Sequence, residues 1–351
     1  MNYLNNILFY KKSKTKFIIK KIFLNYFVSL CVFVVLLVIL ANPKTYGDSI
    51  INGFMLFANC VFPGLFPFLV FTKILTDLGA VTKISNFFAP LIHKVFNVNG
   101  ISAYVFIMSA MCGYPMGAKL IADLRSKDLI SELDAEKMLC FCSVSGPIFI
   151  IGTIGSAMFG NVLYGIIIFL SHIIASLLMG SILIKIKFKH TESNAPTHLM
   201  ISNKMNVNYD SILGESVYSA TTTIIMVGAF VTLFSLIIDI LNTTNILAPI
   251  IALLKIIFKF ININPELATG TIFGLIEITR GIKILSSFGA TKIVLSLCCL
   301  LVSFSGFSII MQCKTLLKKT NIQTSNYIKI KILHALFSFF ICIIICYIFK
   351  I

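Results

Sequence analysis

The sequence predicts an all-α, polytopic membrane protein: an inverted repeat of broken helices and re-entrant hairpins, with about seven full spans plus two hairpins. Three observations carry that expectation. Hydrophobic residues make up 58% of the 351 positions and mean hydropathy is +0.97, above the roughly 45–50% apolar content of soluble domains. Apolar runs at 23–41, 162–184 and 332–349 each approach the ~20 residues that cross a bilayer as a helix. Finally, one polar pattern occurs twice inside apolar sequence. Gly117-Ala-Lys119 leads to Ser143-Val-Ser-Gly146, and Gly281-Ile-Lys283 leads to Ser303-Phe-Ser-Gly306. The interval from Gly117 to Ser145 is 28 residues and that from Gly281 to Ser305 is 24. Polar and helix-breaking residues are costly in hydrocarbon, so a duplicated break points first to a transport site.

Taken in order, the elements follow from local chemistry. Lysines 11, 12, 14, 16, 20 and 21 precede a first helix expected over about 18–41. Its apolar run outlasts a signal-peptide core and Ile39-Leu40-Ala41 is a weak cleavage exit, so an uncleaved helix with a cytoplasmic N-terminus is expected. The chain exits near Asn42–Asp48 and returns over 50–78, bent by Pro63 and Pro67. Residues 81–96 read as an interfacial helix. Residues 100–124 read as a hairpin broken at Gly113-Tyr114-Pro115, because proline and glycine interrupt the helical ladder. The mixed-charge stretch 125–137, including Asp123 just before it, reads as a solvated loop. Residues 139–159 cross through Ser143–Pro147, and 161–184 return.

The second half repeats this order: a helix at 211–241, an interfacial helix at 246–260, and a hairpin at 266–284 with Glu277–Gly281 at its tip. A crossing at 291–312 passes through Ser303–Gly306, a basic stretch at 314–331 lies inside, and a last helix exits. The bent helix at 50–78 runs outside to inside and its counterpart at 211–241 runs the other way, so the copies are inverted across the membrane. The expected division is 1–49 for the N-terminal segment and first helix, 50–186 for the first repeat, 187–210 for a cytoplasmic basic linker and 211–351 for the second repeat.

The net charge of +16 does not indicate nucleic acid: only Arg125 and Arg280 are arginines among 29 basic residues, and the lysines flank apolar spans, where the positive-inside rule places them. Membrane lipid is the expected macroscopic partner. Ten cysteines include no CxxC pair and five histidines are dispersed, so no metal site is expected and the thiols read as small hydrophobes. No catalytic triad or phosphate loop occurs, no cofactor is indicated, and the chain is not expected to be an enzyme. A homo-oligomer is left open.

A pair of broken helices brings half-helix N-termini and unwound backbone together, which favours anions. The candidate substrate-binding residues are Gly113, Tyr114, Pro115, Met116, Gly117 and Lys119 at the first tip and Ser143, Ser145 and Gly146 at the first break. Their counterparts are Glu277, Thr279, Arg280 and Gly281 at the second tip and Ser303, Ser305 and Gly306 at the second break. Each has a plainer alternative. The serines can bond back to helix carbonyls, the glycines can serve close packing, and Lys119 and Lys283 can snorkel to the interface. Glu277 and Arg280, three residues apart, can form a local ion pair. As a functional pair, Glu277 is a candidate proton carrier and Arg280 a candidate fork for a substrate carboxylate.

Phe62-Pro-Gly-Leu-Phe-Pro-Phe68, Gly113-Tyr-Pro-Met-Gly-Ala-Lys-Leu120, Ser145-Gly-Pro147 and Gly274-Leu-Ile-Glu-Ile-Thr-Arg-Gly281, in this order, resemble the YlbJ-type sporulation integral membrane proteins over roughly residues 45–350. That family falls in a wider group with the nucleoside-recognition Gate domain, similar to concentrative nucleoside transporters, in which two hairpin tips and two unwound helices enclose the substrate. The resemblance implies a bacterial inner or outer forespore membrane and export of dipicolinate, a small aromatic dianion, from the mother cell. Half-helix N-termini, Arg280 and Lys119 would suit its carboxylates. The first tip lacks the amide and carboxylate of the nucleoside transporters, which disfavours a nucleoside; ion-coupled nucleoside transport and a non-transporting scaffold for spore assembly stand as alternatives. The motifs identify no coupling ion.

Overall fold

Proline, glycine and capping side chains divide this apolar chain into short helices. The computed structural model describes residues 25–98, 100–188, 209–318, 320, 322 and 326–351, and among them there are helices and no strand. Helices α1 (Asn25–Ala41) and α2 (Pro43–Cys60) meet at 104°. Pro43 begins α2, where its missing N–H costs nothing, so the expected exit loop at 42–48 is reduced to Asn42 alone. The chain turns again at Val61 into α3 (Phe62–Asp77), with Pro63 in the first turn and Pro67 inside. Helix α4 (Ala80–Phe96) runs between left-handed residues Gly79 and Asn97. The first hairpin follows as α5 (Ile101–Cys112) and α6 (Met116–Ser126).

The charged stretch at 125–137 corrects the expectation of a solvated loop. Ser131 caps helix α7 (Glu132–Leu139) by accepting the Asp134 N–H at 3.0 Å, and Asp134 and Lys137 are buried. Lys137 donates to the Asn97 carbonyl at 3.1 Å. Asp123, Lys127, Asp128 and Glu132 stay exposed as expected, with outward ion pairs from Asp128 to Arg125 and from Glu136 to Lys187. After extended residues 143–146, the expected crossing continues as a π-helix (Ile148–Met158) and returns as α8 (Val162–Lys187), capped by Asn161.

The second half comprises α9 (Tyr209–Thr243), α10 (Ala248–Phe260), α11 (Leu267–Ile276), α12 (Ile278–Ser286), α13 (Lys292–Phe304), α14 (Gly306–Leu317) and α15 (Tyr327–Ile348). Most of the linker expected at 187–210, and the basic N-terminus, lie outside the described residues. Among the described residues, four helical stretches are individually long and apolar enough to cross a membrane: α8, α9, α13 with α14, and α15; counting the bent α1–α2 pair makes five. The other crossings among the expected seven fall on shorter pieces, because Pro43, Val61 and Ser143–Pro147 interrupt them.

Packing follows one plan in both halves. Helices α2 and α3 pack on α9; α4 packs on α5 as α10 does on α11; α5 packs on α6 as α11 does on α12. Across the halves, α6 packs on α14 and α12 on the π-helix, while α8 packs on α15. Exchanging the halves maps these contacts onto one another. The α13–α14 stretch sits deepest, with 78% of its apolar window buried against 33–44% for the other three. Outward apolar side chains such as Ile225, Phe260, Phe340 and Ile344 form the kind of surface that lipid covers.

Candidate functional site

Each hairpin tip rests on the helix break of its own half. At the first tip α5 stops at Gly113, whose φ of 86° is open to glycine but strained for other residues. A cis Tyr114–Pro115 bond follows and α6 begins. A Cβ at Gly113 would lie 2.6 Å from the Gly146 nitrogen, and one at Gly117 would lie 2.0 Å from the Cys142 carbonyl oxygen, so no larger residue permits this approach. At the second tip the only non-helical residue is Glu277. Its buried carboxylate accepts the N–H groups of Thr279 at 3.2 Å and Arg280 at 2.8 Å, capping α12. Ser305 and Gly306 both take positive φ at the second break, and Gly306 lies against the Gly274 and Ile276 carbonyls.

The two tips and the first break converge with α3, α9 and α14 on a central cavity of about 60 Å³, room for only a few waters. Of the predicted residues, Gly113, Tyr114, Ser145, Gly146, Glu277 and Thr279 line it. The sequence reading missed Gln312, a buried amide on α14 that also lines it and donates to the Ser308 hydroxyl at 3.3 Å.

Two larger cavities flank the centre. One of about 380 Å³ lies along the far end of α3 and α6, where Lys73, Asp77, Met116, Lys119 and Asp123 line it. The other, about 530 Å³, lies along α9 and α12, where Asp239, Arg280 and Lys283 line it. In the first, Lys119 donates to the α9 hydroxyls of Ser219 at 3.0 Å and Thr223 at 2.9 Å. In the second, Arg280 donates to the Ser235 carbonyl at 3.1 Å and to the Asp239 carboxylate, and its guanidinium lies over the Phe273 ring. Lys119 thus meets α9 at Ser219 and Thr223 and Arg280 meets it at Ser235 and Asp239, so the two hairpins hold different turns of one helix.

These contacts correct several expectations. Glu277 and Arg280 do not form a local side-chain ion pair; the carboxylate caps α12 while the guanidinium turns away to Asp239. Arg280 and Lys119 line the flanking cavities, not the central one. Pro115, Gly117, Ser143, Gly281, Ser303, Ser305 and Gly306 shape the tips and breaks without lining any of the three. Ser143 and Ser303 do not bond back along their own helices: the Ser143 hydroxyl meets the Tyr327 hydroxyl at 2.5 Å, and the Ser303 hydroxyl meets His172 Nδ1 at 2.7 Å.

Histidines that look dispersed in sequence also meet. His172 and His334 stack with centroids 4.7 Å apart. His172 Nε2 accepts the Ser145 N–H at 2.9 Å, which leaves Nδ1 carrying the proton donated to Ser303. One neutral imidazole therefore joins the two breaks. Lys331, expected in a basic stretch on the inside, is instead buried in the first turns of α15. A signal for this was present: Tyr327, Lys331, His334 and Ser338 recur at helical spacing inside an apolar run, and all four are buried. Among the described residues no cluster suited to a metal ion occurs.

The Gate family, described as nucleoside recognition, matches residues 60–183, which contain the first hairpin and first break. Over 325 residues the chain is 25% identical to the sporulation integral membrane protein YlbJ of Bacillus subtilis (strain 168), a match covering 86% of this chain and 77% of that protein. No solved structure matches. The chain is thus a multi-pass helical membrane protein in which residues 60–183 match the Gate family and which is similar to YlbJ along most of its length.

Proposed function

We propose that the protein is a secondary transporter that carries a small organic anion through the central cavity, with dipicolinate leaving the mother cell during sporulation as its substrate. The observation that carries this reading is the convergence of two hairpin tips and an unwound helix on one small cavity, with two larger cavities each lined by an arm of one hairpin. Such an arrangement suits alternating access: each hairpin lines the centre with its tip and a larger cavity with its arm, and moving either would join the two. The matched contacts of the two halves support an inverted repeat working in this way, in a bacterial inner or outer forespore membrane. Both flanking cavities keep a basic excess, with Lys73, Lys119 and Lys127 against Asp77 and Asp123 in one and Arg280 and Lys283 against Asp239 in the other, which would draw anions towards the centre. At about 60 Å³ the centre is the smallest of the three cavities, so movement of a tip is expected to accompany entry of an aromatic dianion.

A second reading has its own observation. The central cavity is lined by the Glu277 carboxylate and the Gln312 amide, groups able to hydrogen-bond the base or sugar of a nucleoside. The chain purified and reconstituted in proteoliposomes decides between them. Saturable uptake of labelled dipicolinate under an imposed ion gradient or potential, unaffected by excess nucleoside, is the expected result. Uptake of labelled uridine with no movement of dipicolinate would replace the first reading by the second. No uptake of either would return the protein to the scaffold class.

A further inference from the structure

We propose that Lys331 is the residue that makes the central site select anions, acting through the Tyr114 hydroxyl; the inference rests on the transport reading above. Lys331 is 1% exposed. Its ammonium donates to the Tyr114 Oη at 2.6 Å and to the Ser143 carbonyl at 3.1 Å, and it lies 4.6 Å from the centroid of the Tyr114 ring. Every one of these partners is neutral. The groups facing it from the surrounding helices are Cys313 on α14, Tyr327 and His334 on its own helix and His172 on α8; no carboxylate is among them, and among the described residues Lys331 makes no salt bridge. A buried lysine without a counter-ion is costly to keep charged, and inside a membrane protein such a group marks a functional position, because an anion entering nearby would favour its ammonium form.

Tyr114 joins this cation to the cavity. The residue lines the central cavity from the first tip, and its oxygen already accepts from Lys331. The Tyr114 O–H has a distant partner in the Val302 carbonyl at 3.4 Å and a close neighbour in Ser305. A phenol whose oxygen accepts from an ammonium is a stronger donor than a phenol alone. A carboxylate entering the site would take the Tyr114 proton in a hydrogen bond and give Lys331 the negative charge it lacks one group away. Lys331 is in this sense a positioning residue: it sets positive charge behind Tyr114 without entering a cavity whose one lining carboxylate, Glu277, is already engaged in capping α12. A neutral solute gains little from that arrangement.

The test uses the full chain in proteoliposomes, with labelled dipicolinate and labelled uridine as probes. Lys331→Gln is expected to raise the KM for dipicolinate by about 10- to 100-fold, the loss of one charge-assisted hydrogen bond, with little change in maximal rate. Tyr114→Phe should do the same, and the double variant should be no worse than either single, because one path carries both effects. Lys331→Arg should keep most of the affinity. An unchanged KM in Lys331→Gln, or an equal fall in maximal rate for both probes alongside a lower thermal midpoint, would show a merely structural lysine and overturn the inference. Wild-type protein that moves uridine and not dipicolinate would instead remove the anion reading itself, an outcome separable from failure of the variants.

Discussion

The two hairpins occupy matching places and are held in opposite ways. The second is closed mainly by its own arms. Its arms touch glycine to glycine, so that a Cβ at Gly281 would lie 2.2 Å from the Gly274 Cα, its tip is capped from within by Glu277, and its outer arm is tied to α9 by the Arg280–Asp239 ion pair. The first leans on its surroundings. Gly113 approaches the break at 145–146, and Gly117 approaches it at Cys142 while also meeting the Ser109 side chain of the other arm, Tyr114 is held by Lys331 on α15, and Lys119 reaches α9 through neutral hydroxyls alone. The difference teaches that a shared scaffold divides the work: the second hairpin is held mostly by contacts between its own arms, and the first takes more of its position from the groups around it.

The largest expected effect tests those contacts between arms. Gly281→Leu must push apart a pair of backbones in contact, and overpacking of this kind costs about 3 kcal/mol or more. Gly214, which has open space where a Cβ would stand, should accept Ala with no loss. The chain has no tryptophan and ten free cysteines, eight of them buried, so a thiol-reactive dye reports unfolding directly. A Gly281→Leu protein that melts with the wild type would mean the arms of the second hairpin separate freely, and the contrast with the first would collapse.

Next in size is the ion pair. Arg280→Ala leaves the Asp239 carboxylate partly buried without its cation, at a cost of about 2 kcal/mol. Adding Asp239→Ala should restore some of the lost midpoint, as a double-mutant cycle reads it. Glu277 comes after. As a cap it should tolerate Gln, whose amide oxygen can still accept one N–H, while Ala should cost about 1–2 kcal/mol. As a proton carrier it should lose transport in both. Glu277→Gln protein with normal stability and no uptake would move Glu277 from scaffold to coupling, and would give the second hairpin a role in the chemistry.

These roles mark where the sequence was readable. Gly113-Tyr114-Pro115 and Ser305-Gly306 announced themselves because a chain in hydrocarbon keeps a helix break only at cost; the structure has breaks at both. Destinations of long side chains were not legible. Arg280 is three residues from Glu277 but finds Asp239, 41 positions earlier, because tertiary packing brings α9 beside α12. Lys331 was hidden by its neighbours: Lys329 and the lysines before it made a basic run of the kind that flanks a span, and only its helical phase with Tyr327 and His334 set it apart. The charged stretch at 125–137 misled for the reverse reason, since a Ser131 cap and partners for Lys137 let charged residues be packed.

The smallest effect is the most selective. Lys119→Ala removes two hydrogen bonds to uncharged hydroxyls, about 1 kcal/mol together after the loss of packing and hydration are set against each other, so the melting midpoint should barely move. Its consequence should appear in access. Cys112 lines the central cavity at the end of α5 and meets the Thr72 hydroxyl, on the wall of the adjoining cavity, at 2.9 Å. If Lys119 helps hold the first hairpin closed, its loss should raise the rate at which a small charged methanethiosulfonate modifies Cys112, measured in a Cys60→Ser background because Cys60 lines the same cavity. A rise of about fivefold corresponds to 1 kcal/mol of closure. Arg280→Ala, acting on the other hairpin, should leave that rate unchanged, and equal acceleration by both variants would mean that the hairpins open as one unit.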